Sequence, residues 1–249
     1  MYMKHLLIFT ISACLIYSCV YKNEEDSYYS TSNNGKNTLD SGLIAHFCFQ
    51  NSLVDSSKNN ISLTLHGAVV YDNNSEYGSG NMAIRLNGLD NYFEIPVGHL
   101  DTVSISMFFI GDGALSSTQK PYLLDYGQEA LDLHLDAVSG GTYITVNNET
   151  LNNPQENWIS SYDGWNFLYV EAIISSKQFK IVTASHKKPS LTINSSISNS
   201  IAVQNNILVI GRGSLNSSAG AYFKGLIDDV RIYNRKLTTN ELHQISKVL

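Results

Sequence analysis

Downstream of Ser41, clusters of Gly, Asn, Asp and Ser cut the chain into short runs that leave little room for long helices. The runs alternate in polarity or are rich in β-branched and aromatic residues, as strands are when they bury one face. They fall at 61–65, 82–86, 92–95, 103–110, 122–125, 131–137, 142–146, 166–175, 179–184, 190–193, 206–210 and 225–233. So many one-faced strands can cover their apolar sides only by stacking, so the sequence predicts an all-β sandwich of two antiparallel sheets. With 43% of its 249 residues hydrophobic, the chain has material for one sizeable core. No solenoid repeat and no linker interrupts residues 41–249, which read as one domain.

Two hairpins are legible. Ser176-Lys177-Gln178 joins the run ending at Ile174 to Phe179-Lys180-Ile181-Val182, and Ser139-Gly140-Gly141 joins 131–137 to 142–146. A single helix signal stands at the end. Thr238-Thr239-Asn240-Glu241 has the spacing of a capping box, with Leu242, Ile245 and Leu249 on one face beyond it.

The N-terminus reads differently. Lys4 and His5 precede the apolar stretch Leu6 to Ile16, which is shorter than the roughly 20 residues a membrane span needs. Residues 1–18 are therefore expected to be a secretion signal. Leu15-Ile16-Tyr17-Ser18-Cys19 resembles a bacterial lipobox, which implies an acylated Cys19. Lys22-Asn23-Glu24-Glu25-Asp26 resembles the acidic stretch of surface-exposed Bacteroidetes lipoproteins, implying an outer-membrane, surface-exposed location; the alternative is a solvated linker without sorting information. Residues 19–40, polar and rich in Ser, Asn and Tyr, are expected to form a flexible tether. Of the three cysteines, Cys14 leaves with the signal and Cys19 takes lipid. That leaves Cys48 as a small buried hydrophobe with no disulfide partner expected.

A net charge of −6 and the lack of a basic patch argue against nucleic-acid binding. Gly211-Arg212-Gly213 is not followed by a phosphate-binding helix, and neither a His-Glu-x-x-His motif nor a Gly-x-Ser-x-Gly elbow is present.

The segment Gly225-Leu226-Ile227-Asp228-Asp229-Val230-Arg231-Ile232-Tyr233-Asn234-Arg235-Lys236-Leu237 resembles the closing strand of concanavalin A-like jelly-roll domains of the laminin G-like group. Leu43 to Phe49, the loop Asp55-Ser56-Ser57-Lys58-Asn59-Asn60, Ala83 to Gly88, Trp165 and Leu208-Val209-Ile210-Gly211 are similar to other parts of that pattern, in order. The resemblance implies a jelly roll with a short terminal helix, and functions ranging over sugar binding, adhesion and, in distant members, glycoside hydrolysis. It also implies a structural calcium ion held by Asp55 and Asp228 with help from Asn51. Lys58 stands where the group has a glycine. The alternative is that these aspartates accept backbone hydrogen bonds without a metal.

Two further groups are candidates for ligand contact. Period-two alternation puts Asp132, His134 and Asp136 on one face and Leu131, Leu133 and Leu135 on the other. Retaining glycosidases need two carboxyl groups about 5–5.5 Å apart. Strand residues four apart are separated by roughly 13 Å, so Asp132 and Asp136 do not form that pair by themselves. Trp158 and Tyr162, in the polar run Asn157 to Asp163, are candidate sugar-stacking rings, ahead of Tyr92, Tyr126 and Tyr143. The expectation is a surface-anchored, non-catalytic module that captures glycans or glycoproteins, with an outer-membrane complex as a further partner. An adhesion subunit that binds protein, and a glycosidase with a degenerate motif, are the competing readings.

Overall fold

The computed structural model describes residues 38–75, 81–112, 120–128, 130–135, 142–146, 149–151, 164–185, 188–213 and 220–246. Sixteen strands and a terminal helix are seen among them. The strands are β1 (Leu43–Phe47), β2 (Thr64–His66), β3 (Tyr71–Asp72), β4 (Ala83–Asn87), β5 (Tyr92–Pro96), β6 (Thr102–Gly111), β7 (Lys120–Tyr126) and β8 (Leu131–Leu135). They continue with β9 (Thr142–Val146), β10 (Glu149–Leu151), β11 (Asn166–Ile173), β12 (Gln178–Ser185), β13 (Lys188–Ser196), β14 (Ile207–Ile210), β15 (Gly220–Tyr222) and β16 (Lys224–Tyr233). The helix α1 is Thr239–Ser246. No helix among the described residues is long and apolar enough to cross a membrane.

The strands form two sheets. The first runs β13-β12-β11-β6-β16-β4-β3, with β1 also on β16; the second runs β10-β9-β8-β7-β14-β5-β2. Every pairing is antiparallel except that of β15 with β7. This is the two-sheet sandwich that the alternation predicts, in the jelly-roll form that the resemblance implies. Between the layers lie Phe47, Phe93, Ile105, Phe109, Leu133 and Leu168, all fully or almost fully buried; β6 and β11 supply inward residues at every second position, whereas β7 and β16 break the alternation where their registers shift.

The outer face of the first sheet carries a second core. Phe108, Phe167, Tyr169, Val182 and Tyr233 pack beneath Leu237, Leu242 and Ile245 of the C-terminal segment. The capping box forms as read: the Glu241 amide donates to Thr238 Oγ1 at 3.3 Å and the Thr238 amide donates to Glu241 Oε2 at 2.8 Å. Burial pushes the Glu241 carboxyl up, but hydrogen bonds from Arg235 and Thr238 outweigh it and hold the group below the usual carboxylate range. Arg235 spans from Glu241 to the Thr38 and Ser41 carbonyls and so ties the last helix to the first turn of the domain.

The predicted 176–178 hairpin is found with its turn shifted toward the N-terminus. The Lys177 amide donates to the Ile174 carbonyl, Lys177 takes φ 57°, and Gln178 already belongs to β12. The turn at 139–141 lies outside the described residues. Cys48 is buried as expected but is disulfide-bonded, its partner lying outside the described residues, which corrects the expectation of an unpartnered cysteine.

Candidate functional site

The outward face of the second sheet collects polar side chains from strands far apart in sequence. In β5 Phe93 and Ile95 point into the core, so Tyr92 and Glu94 point out; in β14 Leu208 and Ile210 are in the core, so Val209 points out. The cross-strand register then makes one row of Glu94, Val209, Asp125, Asp132 and Thr145. A second row sets Tyr122 against His134, whose rings lie 5.2 Å apart, with Tyr143 next in register.

Asp132 and His134 therefore share the outer face, as the alternation predicts, with His134 Nδ1 3.2 Å from Asp132 Oδ1. Both are buried, and so is Asp125. Asp136, Trp158, Tyr162 and Cys19 lie outside the described residues, as do the side-chain surroundings of Tyr143. Tyr126 belongs to the core between the sheets.

A cleft of about 80 Å³ opens on this face, lined by Tyr92, Glu94, Asp125, Gln128, Asn205 and Arg212 among others. The Arg212 guanidinium sits 4.9 Å from the centre of the Tyr92 ring and 5.4 Å from that of Tyr222. Tyr92 also stacks on His66 at 4.2 Å, and His66 Nε2 lies 3.4 Å from Glu94 Oε2. Tyr92 is thus a support for Arg212 rather than an open platform, and the cleft offers hydrogen bonds more than a stacking ring. Sequence reading missed Glu94, Asp125, Gln128, Asn205 and Arg212. A wider groove of about 540 Å³ lies on the first sheet, but its buried acid Glu171 is already engaged by the Tyr169 hydroxyl at 2.7 Å and by Lys236 at 3.5 Å.

The proposed calcium ligands have other work. Asp55 accepts from the amides of His46, Ser57 and Ile61 and from Ser57 Oγ, at 2.7–2.9 Å. Four donors fill the roughly four lone-pair positions of a carboxylate, so Asp55 organises the loop after β1. Asp228 accepts from Ser75 Oγ and from the Asp229 amide. This donor set does not fit calcium held by Asp55. A bound ion at a hundred times its Kd would raise Tm by about 5–10 °C. We expect the Tm in EGTA to stay within about 1 °C of that in excess calcium, and a rise on calcium addition would restore the metal site.

His46, Cys48 and Asp229 place possible metal-ligating atoms within 4.8 Å of one another. The Asp229 carboxylate is held by Arg231 at 3.1–3.2 Å and by His46 Nε2 at 2.5 Å. A guanidinium in the place of a cation makes this a charge network, not a metal centre.

A two-sheet sandwich with a polar outer face and, among the described residues, no α-helix between its strands defines a lectin-like architecture. The chain belongs to the concanavalin A-like lectin/glucanases superfamily, whose laminin G-type profile matches residues 87–243. Among curated proteins, none matches the chain. Among solved structures it is similar to domain 4 of AbnA, a GH43 extracellular arabinanase from Geobacillus stearothermophilus, in complex with arabinotriose. That match has 18% identity and TM-score 0.60, covering 81% of this chain and 97% of that one. It is also similar to botulinum neurotoxin type C, from a study of cell entry through two ganglioside molecules, at 13% identity and TM-score 0.59, covering 84% of this chain and 51% of that one. The binding domain of botulinum neurotoxin DC in complex with SialylT matches at 12% and 0.61, over 84% and 51%. The chain spans about half the length of the neurotoxin chains it resembles.

Proposed function

We propose that the protein is a non-catalytic carbohydrate-binding module held at the outer-membrane surface by an acylated Cys19. The observation that carries the binding reading is the cleft on the second sheet, where Glu94 supplies acceptors, Arg212 supplies donors, and Gln128 and Asn205 supply both. Sugars are recognised by such converging polar groups, and the similarity to an arabinotriose-bound domain and to ganglioside-dependent binding domains supports the same reading. Trp158, Tyr162 and Asp136 extend the proposed contact surface on sequence grounds alone.

A glycan array with the purified protein, followed by calorimetry on the hits, tests this. Arg212→Ala is expected to weaken binding about tenfold or more, since it removes the cleft's charged donor. Failure to bind any glycan, or capture of a protein partner that no sugar competes away, would overturn the reading in favour of adhesion.

The hydrolase reading gains one observation, the register pairing of Asp125 with Asp132. At 1% and 4% exposure these carboxyls leave no room for a glycosidic bond between them, which favours binding without turnover. New reducing ends from a bound polysaccharide, lost in Asp125→Asn, would reverse that conclusion.

The surface address rests on residues 1–26 of the sequence. The Cys48 disulfide needs Cys14 or Cys19, so signal cleavage together with a lipid on the Cys19 sulfur would leave Cys48 reduced. We expect fatty-acid label in the wild-type protein and none in Cys19→Ser; recovery of Cys19 linked to Cys48 instead would remove the anchor.

A further inference from the structure

We infer that the cleft on the second sheet selects uncharged sugars with adjacent hydroxyls and discriminates against sugars bearing a carboxylate. This inference rests on the carbohydrate-binding reading and names its ligand class. The cleft sets two carboxyl groups, Glu94 and Asp125, against one guanidinium, Arg212. The guanidinium is already engaged electrostatically, because the rings of Tyr92 and Tyr222 present their electron-rich faces to it at 4.9 and 5.4 Å. Glu94, with its side chain 28% exposed, is the carboxyl a ligand meets, whereas Asp125 is 1% exposed.

An acidic ligand entering here would meet the Glu94 carboxyl beside a guanidinium already engaged by two rings, on a protein whose net charge of −6 adds a repulsive field. A neutral diol fits the same groups. Its two hydroxyls donate to a carboxylate, accept from the guanidinium, and exchange both kinds of bond with Gln128 and Asn205. At about 80 Å³ the cleft is much smaller than the roughly 300–1,000 Å³ of sites that enclose a ligand. It therefore grips one edge of one ring, and the charge on that edge decides the outcome.

Paired ligands test the charge. Trigalacturonate and its methyl ester differ in charge and in small ester methyl groups, and sialyllactose against lactose, which differ by a whole acidic sugar, gives a coarser second comparison. Calorimetry with the purified protein in about 20 mM and about 300 mM NaCl is expected to show the neutral member of a pair at least tenfold tighter, with an affinity that salt leaves unchanged. Glu94→Gln, checked for an unaltered melting curve, is expected to narrow the preference to about threefold or less, whereas Arg212→Ala weakens the neutral ligand. Equal or tighter binding of the acidic members, weakening with salt and lost in Arg212→Ala, would overturn the selectivity while leaving carbohydrate binding intact. Binding of no saccharide, charged or neutral, would take down both readings together.

Discussion

Gly225→Ala is expected to destabilise the domain by about 4 kcal/mol, close to the whole stability of a marginal protein. A Cβ at this position would lie 2.1 Å from the Ile110 carbonyl oxygen, 2.8 Å from the Phe223 ring and 3.0 Å from the Gly111 Cα. Two of these three atoms are backbone of the neighbouring strand, so neither can swing aside. Gly225 pairs in register with Gly111, and only glycines allow β16 and β6 to approach there while Phe223 folds its ring edge-on against Phe109. Its φ of +153° adds a conformation that other residues rarely adopt.

The matched control is Gly98→Ala. Its φ is +78°, but a Cβ there meets nothing within 4 Å, so only the left-handed backbone penalty of about 1 kcal/mol applies. Urea denaturation of both variants separates crowding from backbone strain. Equal losses would mean that the contact at Gly225 relaxes and that the opening glycine of the closing-strand motif serves no packing purpose.

That motif shows how far the sequence could be read. Strands such as β6, β11, β12 and β16 carry enough alternating apolar positions to bury a face, so their existence and approximate ends follow from the residues alone. The Thr238 and Glu241 spacing likewise specifies the helix start, because both partners of the capping box are local. β3, β10 and β15 are only two or three residues long. They have no periodicity of their own and exist because a neighbouring strand offers an edge.

The site follows the same division. Asp132 and His134 could be assigned to a common face from strand period. Glu94, Asp125 and Arg212 could not, since they arrive from β5, β7 and the turn after β14 and meet only through cross-strand register. Arg212 is visible in sequence as the middle of a Gly-Arg-Gly tripeptide, and nothing local says that Tyr92, 120 positions earlier, stacks beneath it. The competing demands on Asp55 are hidden from the sequence for a related reason. The Asp55 loop has the right residue types, but folding delivers three backbone amides and a hydroxyl to the carboxylate before any ion is needed.

Asp229→Asn is expected to cost about 3 kcal/mol, through a bulge that strict alternation would not permit. Ile227 and Val230 both face the core, which an unbroken strand would place on opposite sides. The extra residue is Asp229, at φ 48°, and the register of β16 against β6 shifts between Asp228 and Arg231. Asparagine tolerates that left-handed backbone as aspartate does, so the substitution removes charge and little else. What it removes is the anion between two basic side chains: Arg231, bound at 3.1–3.2 Å, and His46, at 2.5 Å, in a site where Asp229 is 2% exposed. A guanidinium whose side chain is 17% exposed, facing a neutral amide, loses its partner and regains little water, and that penalty exceeds the worth of the intact pair. Combining Asp229→Asn with Arg231→Met should therefore recover at least half of the lost stability, because the stranded charge leaves with the arginine. Denaturant midpoints for the single and double variants decide the matter. A single variant within 1 kcal/mol of wild type, or a double variant no better than the single, would show that the network is solvated and that the bulge is held by its backbone alone.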